Sequence, residues 1–495
     1  MSYTKKIAYS TVAQMFGKAT DVALSVVIMA ALFRYLGVEG IGKYTTVFAF
    51  VAFFAVFADF GLQWTLIREL SIAGGDNPEG VPDKNEVFKN IFTFRLIVAL
   101  LVHLLAFAAV WFFNYPIEVK LGVGVLTAGW FFLTMNSTLV GVYLNNYRLD
   151  ISVSAEVIGR VIILLAILLF VKLGFSLTVI LSAYLLGNAA NFLIDLVMVR
   201  KFVEIGFKFN PEYIKRVIRQ AVPIGITLVF GFVYYKIDSI MLSVMKGMTD
   251  VGIYGTAYKF LEVLQYVPTM FLGAAFPLVT RYAVTKDERV KSAFQKQFDF
   301  LMLLALPILG GTYVLASSII EFIAGSRGEE FIHSSTVVFL HNSLTSVTCL
   351  RILVFSIFIN FTTALFSYMI VSLGKQKAMI WPTIGFAVLN VVLNLIAIPF
   401  FSYAGSSFAT LLTEIVVAVT VFYISRRFII LPIRFTNFFK LIFSALAMTV
   451  VASVMSQTGL NLFVNIALCA GIYTGLVLAL KAIPLEMVRE IFKRN

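Results

Sequence analysis

The chain has 495 residues, 39 Lys and Arg against 26 Asp and Glu, and 60% of its residues are hydrophobic while only 13% are charged. Soluble domains carry about 25% charged residues, so this composition excludes a soluble globular protein and leaves an integral membrane protein. The net charge of +13 could suit nucleic acid, but the cations lie between apolar segments, where membrane topology places them, and no nucleic-acid partner is expected.

A span needs about 20 apolar residues. Fourteen candidates start near residues 11, 43, 91, 119, 153, 176, 221, 252, 297, 350, 378, 404, 441 and 460. With both termini in the cytoplasm, 27 of the 39 Lys and Arg fall inside and six fall outside (Arg34, Lys43, Lys120, Lys172, Lys246, Arg327), which sets the orientation. Lys18 and Asp21 interrupt the first apolar segment, so a cleavable signal is not expected.

Span one carries Lys18 and Asp21 three residues apart, on one helical face. The turn Gly37-Val-Glu-Gly-Ile-Gly-Lys43 fits the start of a phosphate-binding loop, but Tyr44 stands where Ser or Thr would hold Mg²⁺ and no strand precedes it. A helix-to-helix turn is the better reading. Span two carries Asp59, and a polar cytoplasmic loop follows at 74–90. His103 in span three reads as a packed interior residue. Glu156 and Arg160 in span five, four apart in the favourable order, read as a structural pair. Arg95, Asp195 and Arg351 lie near span ends, where snorkelling accounts for them.

Residues 200–220 hold six basic residues around an Asn210-Pro211 break. From 211 to 220 they form either a short amphipathic helix on the cytoplasmic surface or a basic linker. Span seven carries Lys236 and Asp238. Span eight carries Lys259 and Glu262, again three apart, then Pro268 and Pro277, which should bend or locally unwind it. Beyond it, residues 336–350 read as an external interfacial helix in preference to the start of a long tenth span.

Two features organise the whole. The turn Gly37 to Tyr44 recurs 210 residues later as Gly247 to Tyr254, with Gly42 and Gly252, Thr46 and Thr256, and Phe50 and Phe260 also coinciding. This repeat predicts two halves related by an axis along the membrane normal, with a site where they meet. The intramembrane charges concentrate in the first two spans of each half. Each costs about 2.5–3.5 kcal/mol at a helix centre, so their retention argues for a polar path. Cys349 and Cys469 have no metal or disulfide spacing, and no catalytic or metal-binding motif is present, so transport rather than bond chemistry is expected.

The run from Leu36 to Leu70, LGVEGIGKYTTVFAFVAFFAVFADFGLQWTLIREL, resembles the N-terminal signature of the polysaccharide (Wzx-type) flippases of the multidrug/oligosaccharidyl-lipid/polysaccharide exporter superfamily. YYKIDSIMLSVMKGMTDVGIYGTAYKF, from Tyr234, is similar to that family's seventh and eighth helices. A third match is Leu373-Gly-Lys-Gln-Lys377 with Asn390-x-x-x-Asn394-x-x-x-x-Pro399 and Gly405 to Glu414. The resemblance implies an all-α membrane protein: two six-helix lobes, 1–205 and 206–430, in a V around a central cavity, and an extra helix pair at 431–495. It implies a flippase of the cytoplasmic membrane, acting as a monomer beside polysaccharide polymerases or glycosyltransferases.

The expected substrate is an oligosaccharide on a polyprenyl pyrophosphate, carried by alternating access. Lys18, Lys236 and Lys259 are assigned to its headgroup; Asp21, Asp59, Asp238 and Glu262 to gating or to coupling with H⁺ or Na⁺, the only cofactor considered. Rival readings are a peptidoglycan-precursor flippase, a cation-coupled multidrug exporter, which three cavity lysines disfavour, and a membrane glycosyltransferase or ligase.

Overall fold

The computed structural model describes residues 3–73, 83–285, 287–339, 341–429 and 433–482; most of the loop expected at 74–90 lies outside them. The chain is a succession of helices: α1 (Tyr3–Asp59), α2 (Leu62–Ala73), α3 (Lys84–Ala109), α4 (Ile117–Asn145), α5 (Leu149–Lys172), α6 (Leu177–Val199), α7 (Pro211–Met245), α8 (Met248–Val284), α9 (Arg289–Ala324), α10 (Gly328–His333), α11 (Ser346–Ser372), α12 (Ile380–Phe428), α13 (Thr436–Ser456) and α14 (Leu462–Ala479). Local chemistry sets several starts. The Asp83 carboxylate accepts from Asn85 N at α3, the Asn210 side chain accepts from Glu212 N and Tyr213 N before Pro211 at α7, and Thr345 forms a capping box with Thr348 at α11.

Twelve stretches among the described residues are long and apolar enough to cross a membrane. Two helices turn sharply within their own length. α1 turns at Gly37 (φ 68°) and α12 at Ser402 (φ 48°, ψ −126°). The segment 38–59 alone spans about 33 Å at 1.5 Å per residue, enough for a crossing, so every expected span coincides with a helix or half-helix.

The chain divides into two compact units, one ending at Gly252 and the other starting at Ile253. In the first, α6 packs between α4 and α5, and α1 packs on α4, α5 and α7. A buried cluster including Leu66, Phe88, Ile91, Leu139, Tyr143 and Val217 ties α2, α3, α4 and α7 together. The stretch 200–220 is anchored to this unit by side chains while its six basic residues stay exposed. Lys89 pairs with Glu204 at 2.7 Å, Asn90 Oδ1 accepts from Asn210 N at 2.7 Å, and Lys208 pairs with Glu86. Buried Glu69 receives the Tyr213 hydroxyl at 3.1 Å and Arg216 Nη2 at 3.0 Å. Residues 211–220 are therefore the first turns of α7, which continues through Pro223 to Met245, and not a separate amphipathic helix.

The repeat is visible as a reciprocal contact. A Cβ on Gly42 would stand 1.6 Å from the Met248 carbonyl oxygen, and one on Gly252 would stand 1.9 Å from that of Val38. Met248 and Gly252 are Val38 and Gly42 displaced by 210 residues. Only glycine permits backbones to approach so closely.

In the second unit α11 packs on α12 and α9, and α13 and α14 pack on α9. The external segment differs from the sequence reading. Instead of an interfacial helix, Val337–Phe339 and Asn342–Leu344 pair as an antiparallel hairpin, and α11 begins at Ser346. Valine and phenylalanine side chains favour the extended form, His341 supplies a positive φ at the turn, and the Tyr403 hydroxyl accepts from Thr336 N and donates to the Leu344 carbonyl. α8 remains helical through Pro268 and Pro277, without the local unwinding that those prolines allow.

Candidate functional site

In the first unit, Lys18 Nζ lies 3.2 Å from Asp21 Oδ2, and Arg160 Nε of α5 pairs with Asp21 Oδ1. Asp21 is buried, its side chain 8% exposed, and Lys18 is half-exposed at 41%. The carboxylate is held between two cations, which offsets part of the cost of burying it. Arg160 thus reaches across to α1, and Glu156, one turn before it, is exposed beside this group rather than in a recorded ion pair with Arg160.

The other sequence-predicted residues fall elsewhere. Asp59 pairs with Arg95 of α3, whose Nη2 also donates to Ser137 Oγ. Arg95 is 1% exposed, so it does not snorkel; it is a buried cation with a dedicated acid. Asp195 is likewise fully buried, against Asn136, Tyr143 and Ser152, so snorkelling fails there also. Burial follows because both lie on helix faces that α4 covers, which the distance to a span end could not reveal. Arg351 remains exposed, donating to the Tyr313 carbonyl at 3.1 Å. On α7, Asp238 is buried and accepts from Ser239 N at 2.9 Å, and Lys236 is half-buried. In the second unit, Lys259 and Glu262 form an ion pair at 2.8 Å on α8. Among the described residues no group of three or more His, Cys, Asp and Glu could hold a metal ion.

His103 is 5% exposed and its Nδ1 lies 2.8 Å from the Ala99 carbonyl, a packed residue.

Two polar clusters escaped the sequence reading of charges. In the first unit a cavity of about 100 Å³ lies between α1, α4, α5 and α6, and its lining includes Trp130, Glu156, Arg160, Tyr184, Asn188 and Asn191. In the second, Asn394 Nδ2 donates to Asn390 Oδ1 at 3.0 Å, Ser406 Oγ donates to Asn394 Oδ1 at 2.9 Å, and Asn390 Nδ2 reaches Thr413 Oγ1 at 3.5 Å. The Asn390 and Asn394 spacing was visible as a motif, but its hydrogen-bonded partners on the far side of the Ser402 break were not.

Comparison with known proteins gives three results. A family model described as polysaccharide biosynthesis protein matches residues 3–283, more than half of the chain. An uncharacterized membrane protein of Methanocaldococcus jannaschii is 24% identical over 320 residues, 61% of this chain and 70% of that protein. Among solved structures, the lipid II flippase MurJ in an inward closed conformation superposes with a TM-score of 0.76 at 12% identity, over 95% of this chain and 98% of its own. An inward-facing multidrug resistance MATE family transporter of the MOP superfamily superposes with a TM-score of 0.65 at 15% identity, over 82% and 94%. At such identities the likeness establishes the fold alone.

Proposed function

We propose that the chain, which belongs to the polysaccharide biosynthesis protein family, is a transporter that turns a polyprenyl-pyrophosphate-linked oligosaccharide from the cytoplasmic to the outer leaflet of the cell membrane by alternating access. The family match carries this reading: it covers all of the charged helices α1, α5 and α7 and nearly all of α8. A pyrophosphate bears at least two negative charges and cannot cross hydrocarbon unaided, so the protein must offer cations within the membrane. Lys236 and Lys259 are the residues proposed for this, each a compact charge on a flexible stem. Lys259 already has a carboxylate at 2.8 Å, so the pyrophosphate would displace Glu262, which is then free to take up the coupling H⁺ or Na⁺. Lys18 shares Asp21 with Arg160.

The test is binding and reconstituted transport. Proteoliposomes are loaded with a polyprenyl-pyrophosphate oligosaccharide, and its appearance in the opposite leaflet is followed for wild type, Lys236→Ala and Lys259→Ala. Loss of binding in the variants supports the headgroup role, and unchanged transport in both removes it. A peptidoglycan precursor, which differs mainly in its glycan, is the competing substrate in the same assay.

A further inference from the structure

The cavity between α1, α4, α5 and α6 lies wholly inside the first unit, and its floor is set by backbone. A Cβ on Gly159 would stand 2.7 Å from the Gly187 carbonyl oxygen, and one on Gly187 would stand 2.5 Å from that of Gly159. This close packing places Glu156 and Arg160 of α5 beside Asn188 and Asn191 of α6. Asn191 is 6% exposed, and its Oδ1 has no hydrogen-bond partner although it lines the cavity. An orphaned buried amide oxygen costs about 1–3 kcal/mol, so a donor is missing there. Opposite stand three aromatic rings. Phe48 and Tyr184 meet edge-on at 4.9 Å between centroids, and Phe48 and Trp130 at 6.3 Å.

The charges say what the ligand is not. Lys18, Asp21, Glu156 and Arg160 lie close together and sum to zero, and Arg160 is already paired with Asp21. Such a group has no surplus positive charge for a pyrophosphate. A hydrocarbon chain would leave the Glu156 carboxylate and the Asn191 amide oxygen without donors, which is costly in an apolar setting. A ligand that both donates and accepts at several points while offering a C–H face to aromatic rings meets all of these demands.

We infer that this cavity is a glycan subsite that takes one neutral sugar unit of the substrate. The inference rests on the proposed function for its source of sugar. About 100 Å³ is several times the roughly 10–15 Å³ that one water needs, and suits a single ring rather than an oligosaccharide. Glu156 accepts from sugar hydroxyls, Asn191 Oδ1 from another, and Arg160 and Asn188 complete the polar edge while Trp130 packs on the ring face.

The test compares full-length wild type with Asn191→Ala, Asn188→Ala and Trp130→Phe in nanodiscs, each first checked for its melting transition. Two lipids are titrated: polyprenyl pyrophosphate bearing a glycan, and the bare polyprenyl pyrophosphate. Wild type should bind the glycosylated lipid about tenfold more tightly, and the variants should lose that difference while holding the bare lipid unchanged. A preference for the glycosylated lipid that survives in all three folded variants overturns the subsite. If wild type binds neither lipid, the flippase reading fails. Free hexoses and N-acetylhexosamines then decide the subsite separately, through Trp130 fluorescence in a chain with Trp64, Trp111 and Trp381 replaced by Phe. Quenching that Asn191→Ala abolishes supports it, and no quenching refutes it.

Discussion

Removing the Asp59 carboxylate should strand a guanidinium inside the membrane. Arg95 is 1% exposed, and its Nε and Nη1 have no hydrogen-bond partner, so Asp59 and Ser137, both on Nη2, carry its compensation. Breaking a buried pair from one side costs about 3–5 kcal/mol, and that is the expected loss for Asp59→Ala. Asp59 itself is 26% exposed, less confined than the guanidinium, so Arg95→Met should cost less, about 1–3 kcal/mol. The double variant buries no lone charge and should be more stable than Asp59→Ala alone. The coupling between the two sites should reach about 2 kcal/mol. Unfolding by sodium dodecyl sulfate in mixed micelles, followed by circular dichroism, measures all three. An Asp59→Ala protein that unfolds like wild type, or no recovery on adding Arg95→Met, would show that the pair does not carry this stability. Transport by the double variant separates a second question: a folded, inactive protein would restore the gating role proposed for Asp59.

Further expectations concern the joints of the fold. Gly42→Ala and Gly252→Ala each push a methyl into a facing carbonyl, so both should destabilise by about 1–3 kcal/mol or more in the same unfolding assay, and equal losses are expected from the reciprocity of the contact. Glu69→Ala leaves the Tyr213 hydroxyl and Arg216 unpaired at the docked linker, and tryptic cleavage within 200–210 should accelerate severalfold, with Glu69→Gln less affected. Tyr403→Phe removes the hydroxyl that links Thr336 N to the Leu344 carbonyl, so amide exchange should rise across the hairpin while the rest of the second unit keeps its protection.

The helices were legible because hydrophobic length is a strong signal and lipid forces each crossing to satisfy its own backbone. The internal repeat was legible too, through Gly42 and Gly252, whose role in the fold is to admit backbone contact. What escaped was decided by side chains meeting across helices. Asp195 and Arg95 stood near span ends, where sequence alone suggests an escape to the interface, yet packing against α4 buries both. Arg160 had an acid four residues away and chose one on α1. The hairpin at 337–344 is too short for periodicity to distinguish it from a helical turn, and its hold on Tyr403 spans about sixty residues of sequence. The aromatic and amide lining of the first-unit cavity carries no charge to attract notice, and Phe48, Trp130 and Tyr184 come from three different helices that only packing brings together.

The central claim is that the chain moves a glycan linked to a polyprenyl pyrophosphate. The most direct measurement is leaflet-to-leaflet transfer of that lipid by the purified protein in proteoliposomes, with the same lipid lacking its pyrophosphate and a cationic dye as competitors. The account predicts transfer that the dye does not inhibit and that Lys236→Ala with Lys259→Ala abolishes. Transport of the dye, with no transfer of the glycolipid by wild type, would contradict it.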